Sequence, residues 1–150
     1  MSEDFFDDYA KKLEEMIKEK AKEDYNEYIV DLFYDPKNWG KPPDNEISIS
    51  QSYKGPCNDT MTFYLNIKND IIEKANFITD GCGATVATAS QVTLLIEGKS
   101  LEFAENLTAE DIDKALGGLP EDHKHCAELS ATTLKKAINK YRRKVYQIKK

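Results

Sequence analysis

Met61, Phe63, Leu65 and Ile67 alternate with Thr62, Tyr64 and Asn66, and this two-residue period fits a strand with one apolar face. Lys68-Asn69-Asp70 supplies a turn behind it, and Ile71 to Thr79 returns as another strand. In front, Ile47 to Tyr53 alternates Ile47 and Ile49 with serines and reads as a half-exposed strand. Strands that follow one another as a meander pair antiparallel. At Gly81-Cys82-Gly83-Ala84-Thr85 the last strand gives way to a helix, with Val86, Ala89, Ser90, Thr93 and Leu94 expected on one face and Gly98 ending it.

The rest of the chain reads as helix and loop. From Asp4 to Ile29 the residues Phe5, Phe6, Tyr9, Leu13, Met16 and Ile17 are spaced for one helical face. This amphipathic leader is expected to pack on its own domain or on a second copy of the chain. Tyr25 to Phe33 continues helically until Asp35-Pro36, because the residue before a proline is pushed out of the helical region. Lys37 to Asn45 is a loop, which Trp39 is expected to anchor. Leu101 to Asn106 forms a turn of helix, and Thr108 with Asp111 opens another that Gly117-Gly118-Leu119-Pro120 breaks. A final helix begins near His125 and carries Leu129, Leu134, Ala137, Ile138, Tyr141 and Val145 on one face. The fold class is α+β: a three-stranded antiparallel sheet with helices packed on it. At 150 residues and 40% hydrophobic the chain suffices for one domain with a real core.

A net charge of -6 argues against nucleic acid or an anionic membrane as partner. The basic stretch Lys135 to Lys150 is expected as a solvated helix face. No apolar run approaches a membrane span, and the first twenty residues are dense in Asp, Glu and Lys, so a cytoplasmic protein is expected. Three cysteines, an odd count, fit a reducing compartment and thiolate chemistry better than a disulfide framework.

Each cysteine has polar company: Cys57 in Gly55-Pro56-Cys57-Asn58-Asp59, Cys82 between two glycines at a strand-to-helix junction, and Cys126 after His125 at a helix start. If sheet ends and helix starts share one edge, three segments converge there, each bringing a cysteine, and Asp59 and His125 join them. His123, outside the His125-Cys126 pair, is expected on the surface. Three thiolates with an Asp or His satisfy tetrahedral Zn²⁺, and equally the four protein positions of a 2Fe-2S centre. Ligand softness does not separate the two. An enzyme built on a reactive cysteine would want one base per nucleophile and a substrate pocket, and neither is visible.

Tyr34-Asp35-Pro36-Lys37-Asn38-Trp39-Gly40, Gly55-Pro56-Cys57-Asn58-Asp59-Thr60-Met61, Phe77-Ile78-Thr79-Asp80-Gly81-Cys82-Gly83, Ile96-Glu97-Gly98-Lys99, Leu116-Gly117-Gly118-Leu119-Pro120 and His125-Cys126-Ala127-Glu128-Leu129 occur in an order and spacing that resemble the IscU/NifU N-terminal family of iron-sulfur cluster assembly scaffolds. The likeness runs from about Tyr25 to Tyr141, which divides the chain into an N-terminal helical extension, 1–24, and a scaffold domain, 25–150. It implies the SufE/NifU-like (IscU-like) fold and a non-enzymatic role. On such a scaffold a 2Fe-2S cluster is built from iron and from sulfur supplied by a cysteine desulfurase of the IscS/NifS type, then handed to apo-protein acceptors. Zinc can stand in the scaffold before the cluster does. By motif, the family's cluster ligands fall on Cys57, Cys82 and Cys126, and its conditional ligands on Asp59 and His125. Cys126 is the expected sulfur acceptor, since a helix start should lower its pKa.

The chain departs from the family in places. Asn58 stands where glycine is usual, a residue that also tolerates a left-handed backbone. The bacterial type's Leu-Pro-Pro-Val-Lys, gripped by a dedicated Hsp70 chaperone, is replaced by Leu119-Pro120-Glu121-Asp122-His123. A zinc-dependent sulfur acceptor of the SufU type is the alternative. Those proteins share the fold and the cysteines, but carry an insertion before the last cysteine and lack a histidine like His125.

Overall fold

The computed structural model describes residues 7–13, 15–16 and 25–149, with the side chains of 147–149 left aside. Three strands, β1 (Ile49–Lys54), β2 (Thr60–Lys68) and β3 (Ile71–Thr79), form an antiparallel sheet in the order β1-β2-β3. After residue 25, five α-helices accompany it among the described residues: α1 (Glu27–Tyr34), α2 (Gly83–Ile96), α3 (Leu101–Glu105), α4 (Ala109–Ala115) and α5 (His125–Lys149). The meander and its strand order are those expected from the alternation. The β2–β3 turn is two residues, Asn69 and Asp70, both with positive φ, the twist that a tight hairpin requires.

β2 is less one-sided than its sequence suggests. Met61, Phe63 and Leu65 are fully buried, but Thr62 and Tyr64 on the other face are also nearly so. A central strand loses solvent on both sides once the 38–46 connection folds back. Gly40 donates its N–H to Phe77 O and Phe77 N–H bonds to Asn38 O, which docks that connection beside β3. Trp39 anchors it as expected, edge-on to Phe77 with ring centroids 5.2 Å apart.

α2 departs from its expected one-faced pattern. Ala84, Thr85, Ala87, Thr88, Ala89, Ser90, Gln91, Val92, Thr93 and Ile96 are all buried, while Leu94 is exposed. The helix runs inside the molecule with α1, β3, α4 and α5 around it, and its small side chains let them approach. Its hydroxyls are satisfied internally: Thr88 donates to Ala84 O at 2.6 Å, Thr93 to Ser90 O at 2.6 Å, and Ser90 Oγ bonds to both N and O of Lys37.

The N-terminal leader is not continuous with α1. Asn26 caps α1, its side-chain oxygen accepting from Ile29 N–H at 2.9 Å, so the chain breaks helix at Tyr25 and Asn26. Residues 7–13, 15 and 16 are helical, yet Tyr9, Leu13 and Met16 are exposed, and the expected packing of this stripe on its own domain is not seen. Phe5, Phe6 and Ile17 lie outside the described residues.

α5 crosses β1 and α2 with Leu129, Leu134, Ala137 and Ile138 inside. Two lysines of its basic stretch serve the sheet: Lys140 Nζ donates to Ser50 O at 2.9 Å and Lys144 Nζ to Ser48 O at 3.2 Å, covering the open edge of β1. No described helix is long and apolar enough to cross a membrane.

Candidate metal centre

The sheet register sets Lys54 opposite Thr60 and Met61 opposite Thr79, so the β1–β2 turn and the end of β3 share one end of the sheet. Asp80 ties them: its carboxylate accepts from Thr60 N–H at 2.7 Å. The start of α5 reaches the same end, where Ser130 Oγ lies 3.4 Å from Met61 Sδ. Cys57, Cys82 and Cys126 thus arrive together from three separate segments, all as free thiols.

Each segment is shaped by a local constraint. Gly55 and Asn58 close the Cys57 turn, Asn58 N–H bonding to Gly55 O at 2.9 Å with Asn58 at φ 76°, so the asparagine takes the left-handed position. Cys82 caps α2 in extended conformation. At Gly83 a Cβ would fall inside the Phe33 ring, so only glycine allows α1 and α2 to close at this point. Cys126, in the first turn of α5, is fully buried in the core, whereas Cys57 and Cys82 are exposed.

Five residues singled out in the sequence come together here. Ligand atoms of Cys57, Asp59 and His125 lie within 4.8 Å of one another, as do those of Cys82, Cys126 and His123. Between the two groups stands Thr85, whose buried hydroxyl is 3.4 Å from Asp59 Oδ2, 3.4 Å from Cys126 Sγ and 3.7 Å from Cys82 Sγ. His125 Nε2 is 3.8 Å from Cys126 Sγ.

The two inner thiols share one proton. Donation from Cys126, joined by the N–H groups of Thr85 and Ala84 and the Thr85 hydroxyl, outweighs burial and lowers the Cys82 thiol to about 4. Cys82 is therefore a thiolate. Cys126 is its converse: the Cys82 thiolate and burial both push its thiol far up. The expectation that a helix start lowers Cys126 is overturned, because the neighbouring thiolate and burial disfavour a second negative charge more than the helix end favours one.

Two site residues were missed in the sequence. Thr85 gave no signal, since a threonine early in a helix is ordinary. His123 is half-buried rather than on the surface, its ring beside Tyr25 at 5.5 Å and His125 at 6.1 Å, and its Nδ1 is buried without a hydrogen-bond partner. Its spacing was the available clue: residues three apart across a helical turn share a side, and His123 stands three before Cys126. A donor set of thiols, imidazoles and one carboxylate, with an orphaned ring nitrogen among them, fits iron or zinc rather than a hard cation.

The profile of the NifU-like N terminal domain matches residues 24–148. The chain is 39% identical over 120 residues to the iron-sulfur cluster assembly scaffold protein IscU of Aquifex aeolicus, covering 79% of this chain and 76% of that one. It is 38% identical over 126 residues to IscU 1 of Archaeoglobus fulgidus, also an iron-sulfur cluster assembly scaffold protein, covering 84% and 82%. In fold it is similar to the crystal structure of a NifU-like N-terminal protein from Brucella abortus, with a TM-score of 0.62, 16% identity, and 83% of this chain and 98% of that one covered.

Proposed function

The chain belongs to the family of NifU-like N-terminal domains, and on that premise we propose that its thiol pocket is where a 2Fe-2S cluster is assembled from iron and delivered sulfur, then passed to apo-proteins. The cluster is cargo. One observation carries the reading: Cys57, Asp59, Cys82, His125 and Cys126 converge on one end of the sheet from segments far apart in sequence. That is more donors than the four protein positions a 2Fe-2S cluster offers. A permanent centre needs no surplus, whereas a site that must release its cargo gains from a carboxylate that competes for iron and yields to an incoming thiolate.

Sulfur comes as the outer sulfur of a cysteine desulfurase's persulfide. Cys126 attacks it, and a Cys126 persulfide forms as the desulfurase cysteine leaves as thiolate. A two-electron donor, a thiol or a reduced electron-transfer protein, then releases the sulfur as sulfide. In the metal-free pocket the Cys82 thiolate keeps the proton on Cys126, so acceptance follows engagement of Cys82 by a metal ion, which neutralises the charge that keeps Cys126 protonated. Three free thiols suit a reducing, cytoplasmic compartment. Residues 1–24 are an appendage to the scaffold domain of residues 25–150; the family match beginning at residue 24 supports this. Deleting residues 1–22 should then leave cluster assembly intact.

Anaerobic reconstitution with iron, sulfide and thiol tests the reading. Charge-transfer absorption and about two irons per chain are expected. Zinc as the sole metal taken up, with no cluster formed after its removal, would reject the scaffold reading in favour of a zinc-dependent sulfur acceptor.

A further inference from the structure

We propose that His123 is a metal ligand of this chain, closing with Cys82 and Cys126 a binding site for one soft divalent cation. The inference deepens the scaffold reading, on which it rests for the premise that metal enters this pocket.

A ring nitrogen of His123 lies within 4.8 Å of both sulfurs, so one ion can reach all three donors with small side-chain rotations. Nδ1 is the nitrogen to assign. It is buried and, among the described residues, has no hydrogen-bond partner, and a buried ring nitrogen left unpaired costs free energy that a ligand would recover. The other nitrogen, Nε2, has the Asp122 carboxylate 3.9 Å away. A carboxylate on that side favours the tautomer with its proton on Nε2 and the lone pair on Nδ1 directed inward, the arrangement in which ligating histidines are held.

The ring is also held in place. His123 ends a short 3-10 turn, Glu121–His123, closed by its own N–H to Pro120 O at 2.9 Å. The ring packs between Tyr25 and His125. One residue on, Lys124 pairs with Asp113 at 3.1 Å, and Asp113 also accepts from Leu119 N–H at 2.7 Å, which fastens both ends of the turn to α4. Two thiol sulfurs and an imidazole nitrogen form a soft, borderline set that selects Zn²⁺, Co²⁺ or Fe²⁺ over Mg²⁺ or Ca²⁺. The remaining donors, Cys57, Asp59 and His125, share no residue with this set, and Thr85 stands between the two.

Nitrogen-15 NMR of the full reduced chain, titrated anaerobically with one equivalent of Zn²⁺, reads the histidines directly and needs no variant. The His123 Nδ1 resonance should move to the position of a metal-bound nitrogen while Nε2 keeps its proton. Unchanged His123 nitrogens with zinc bound elsewhere in the pocket would overturn the proposal. Co²⁺ binding supplies a second measurement. His123→Ala, shown folded by circular dichroism, should weaken Co²⁺ at least as much as the roughly 10–100-fold that loss of an outer-shell partner costs, and equal affinity in the two proteins would again overturn it. Reconstitution of the unaltered chain separates the two readings. A 2Fe-2S cluster with His123 silent to zinc sinks this inference alone, and ligation by His123 with no cluster ever formed sinks only the scaffold.

Discussion

Thr85 places its hydroxyl 3.4 Å from the sulfur of Cys126, and both residues are fully buried. The same oxygen reaches Asp59 and Cys82, so one uncharged group stands among three candidate ligands. Thr85→Val keeps the shape and removes that oxygen. The Cys82 thiol should then rise from about 4, because the Thr85 hydroxyl is one of the donors that lower it, beside Cys126 and the N–H groups of Thr85 and Ala84. In the metal-free unaltered protein, iodoacetamide should alkylate Cys82 at a rate nearly flat from pH 5 to pH 8, since the thiolate is already formed above about 4. A model cysteine, with its pKa near 8.5, gains about tenfold per pH unit over most of that range. In Thr85→Val the Cys82 rate at pH 5 should fall several-fold, as mass spectrometry of the alkylated peptide would show.

The three cysteines should differ in what their serine variants cost. All three should lose the cluster if the proposed ligands are right. Cys57→Ser removes an exposed side chain and should leave the melting temperature nearly unchanged, whereas Cys82→Ser also removes the thiolate that accepts from Cys126 and the N–H groups of Thr85 and Ala84 and should lower it at pH 7. Cys126 is 0% exposed and packs in the core, so Cys126→Ser sets a more polar group there and should cost about 1–3 kcal/mol. Urea melts of the three variants check this; equal midpoints would remove Cys126 from the core.

Asp59→Ala tests the role of the carboxylate. Three thiolates and His125 remain to hold the cluster, which should persist longer in air and move more slowly to an apo-acceptor. Immediate loss of the cluster would instead make Asp59 an obligatory ligand.

Gly83→Ala should collide with the Phe33 ring. Overpacking of this kind costs about 1–3 kcal/mol, and Phe33→Ala in the same chain should return part of it. A double-mutant cycle measured by denaturant unfolding gives the coupling, which should be well above the ~0.5 kcal/mol expected of independent sites.

Asp113 offers a pH test. Burial pushes its carboxyl up, but the Leu119 N–H and the Lys124 ammonium outweigh it and hold it below the ordinary value. The stability it contributes is thus complete above the unfolded carboxyl value, about 3.9, and is lost as pH falls through the lower folded value. Asp113→Asn should melt earlier than the unaltered protein at pH 7, by about 1–2 kcal/mol. The gap should narrow below about pH 4.

The sheet was legible because its signals are local. The alternation at Met61 to Ile67, the Asn69-Asp70 turn and the Thr108-Asp111 capping box, with both reciprocal bonds present, depend on neighbours in sequence. The cysteines were legible for the same reason, each marked by glycine, Asp or His beside it. What escaped depends on partners far along the chain. The small residues of α2 could not reveal that four elements would surround it. The protonation of Cys126 could not be read from its helix start, since Cys82, whose thiolate keeps it protonated, is brought there only by the fold. His123 depends in the same way on Cys82.

The arrival of Cys57, Cys82 and Cys126 from three separate segments has a consequence in polymer terms. Anything bound to all three acts as a cross-link that closes two long loops, and by restricting the unfolded chain it raises the free energy of unfolding. Loading therefore stiffens the protein and unloading returns conformational freedom to it. The exposed Cys57 turn, which belongs to no helix or strand, is where that freedom should first be felt. A scaffold of this construction is hardest to unfold when full and loses that added resistance as it empties.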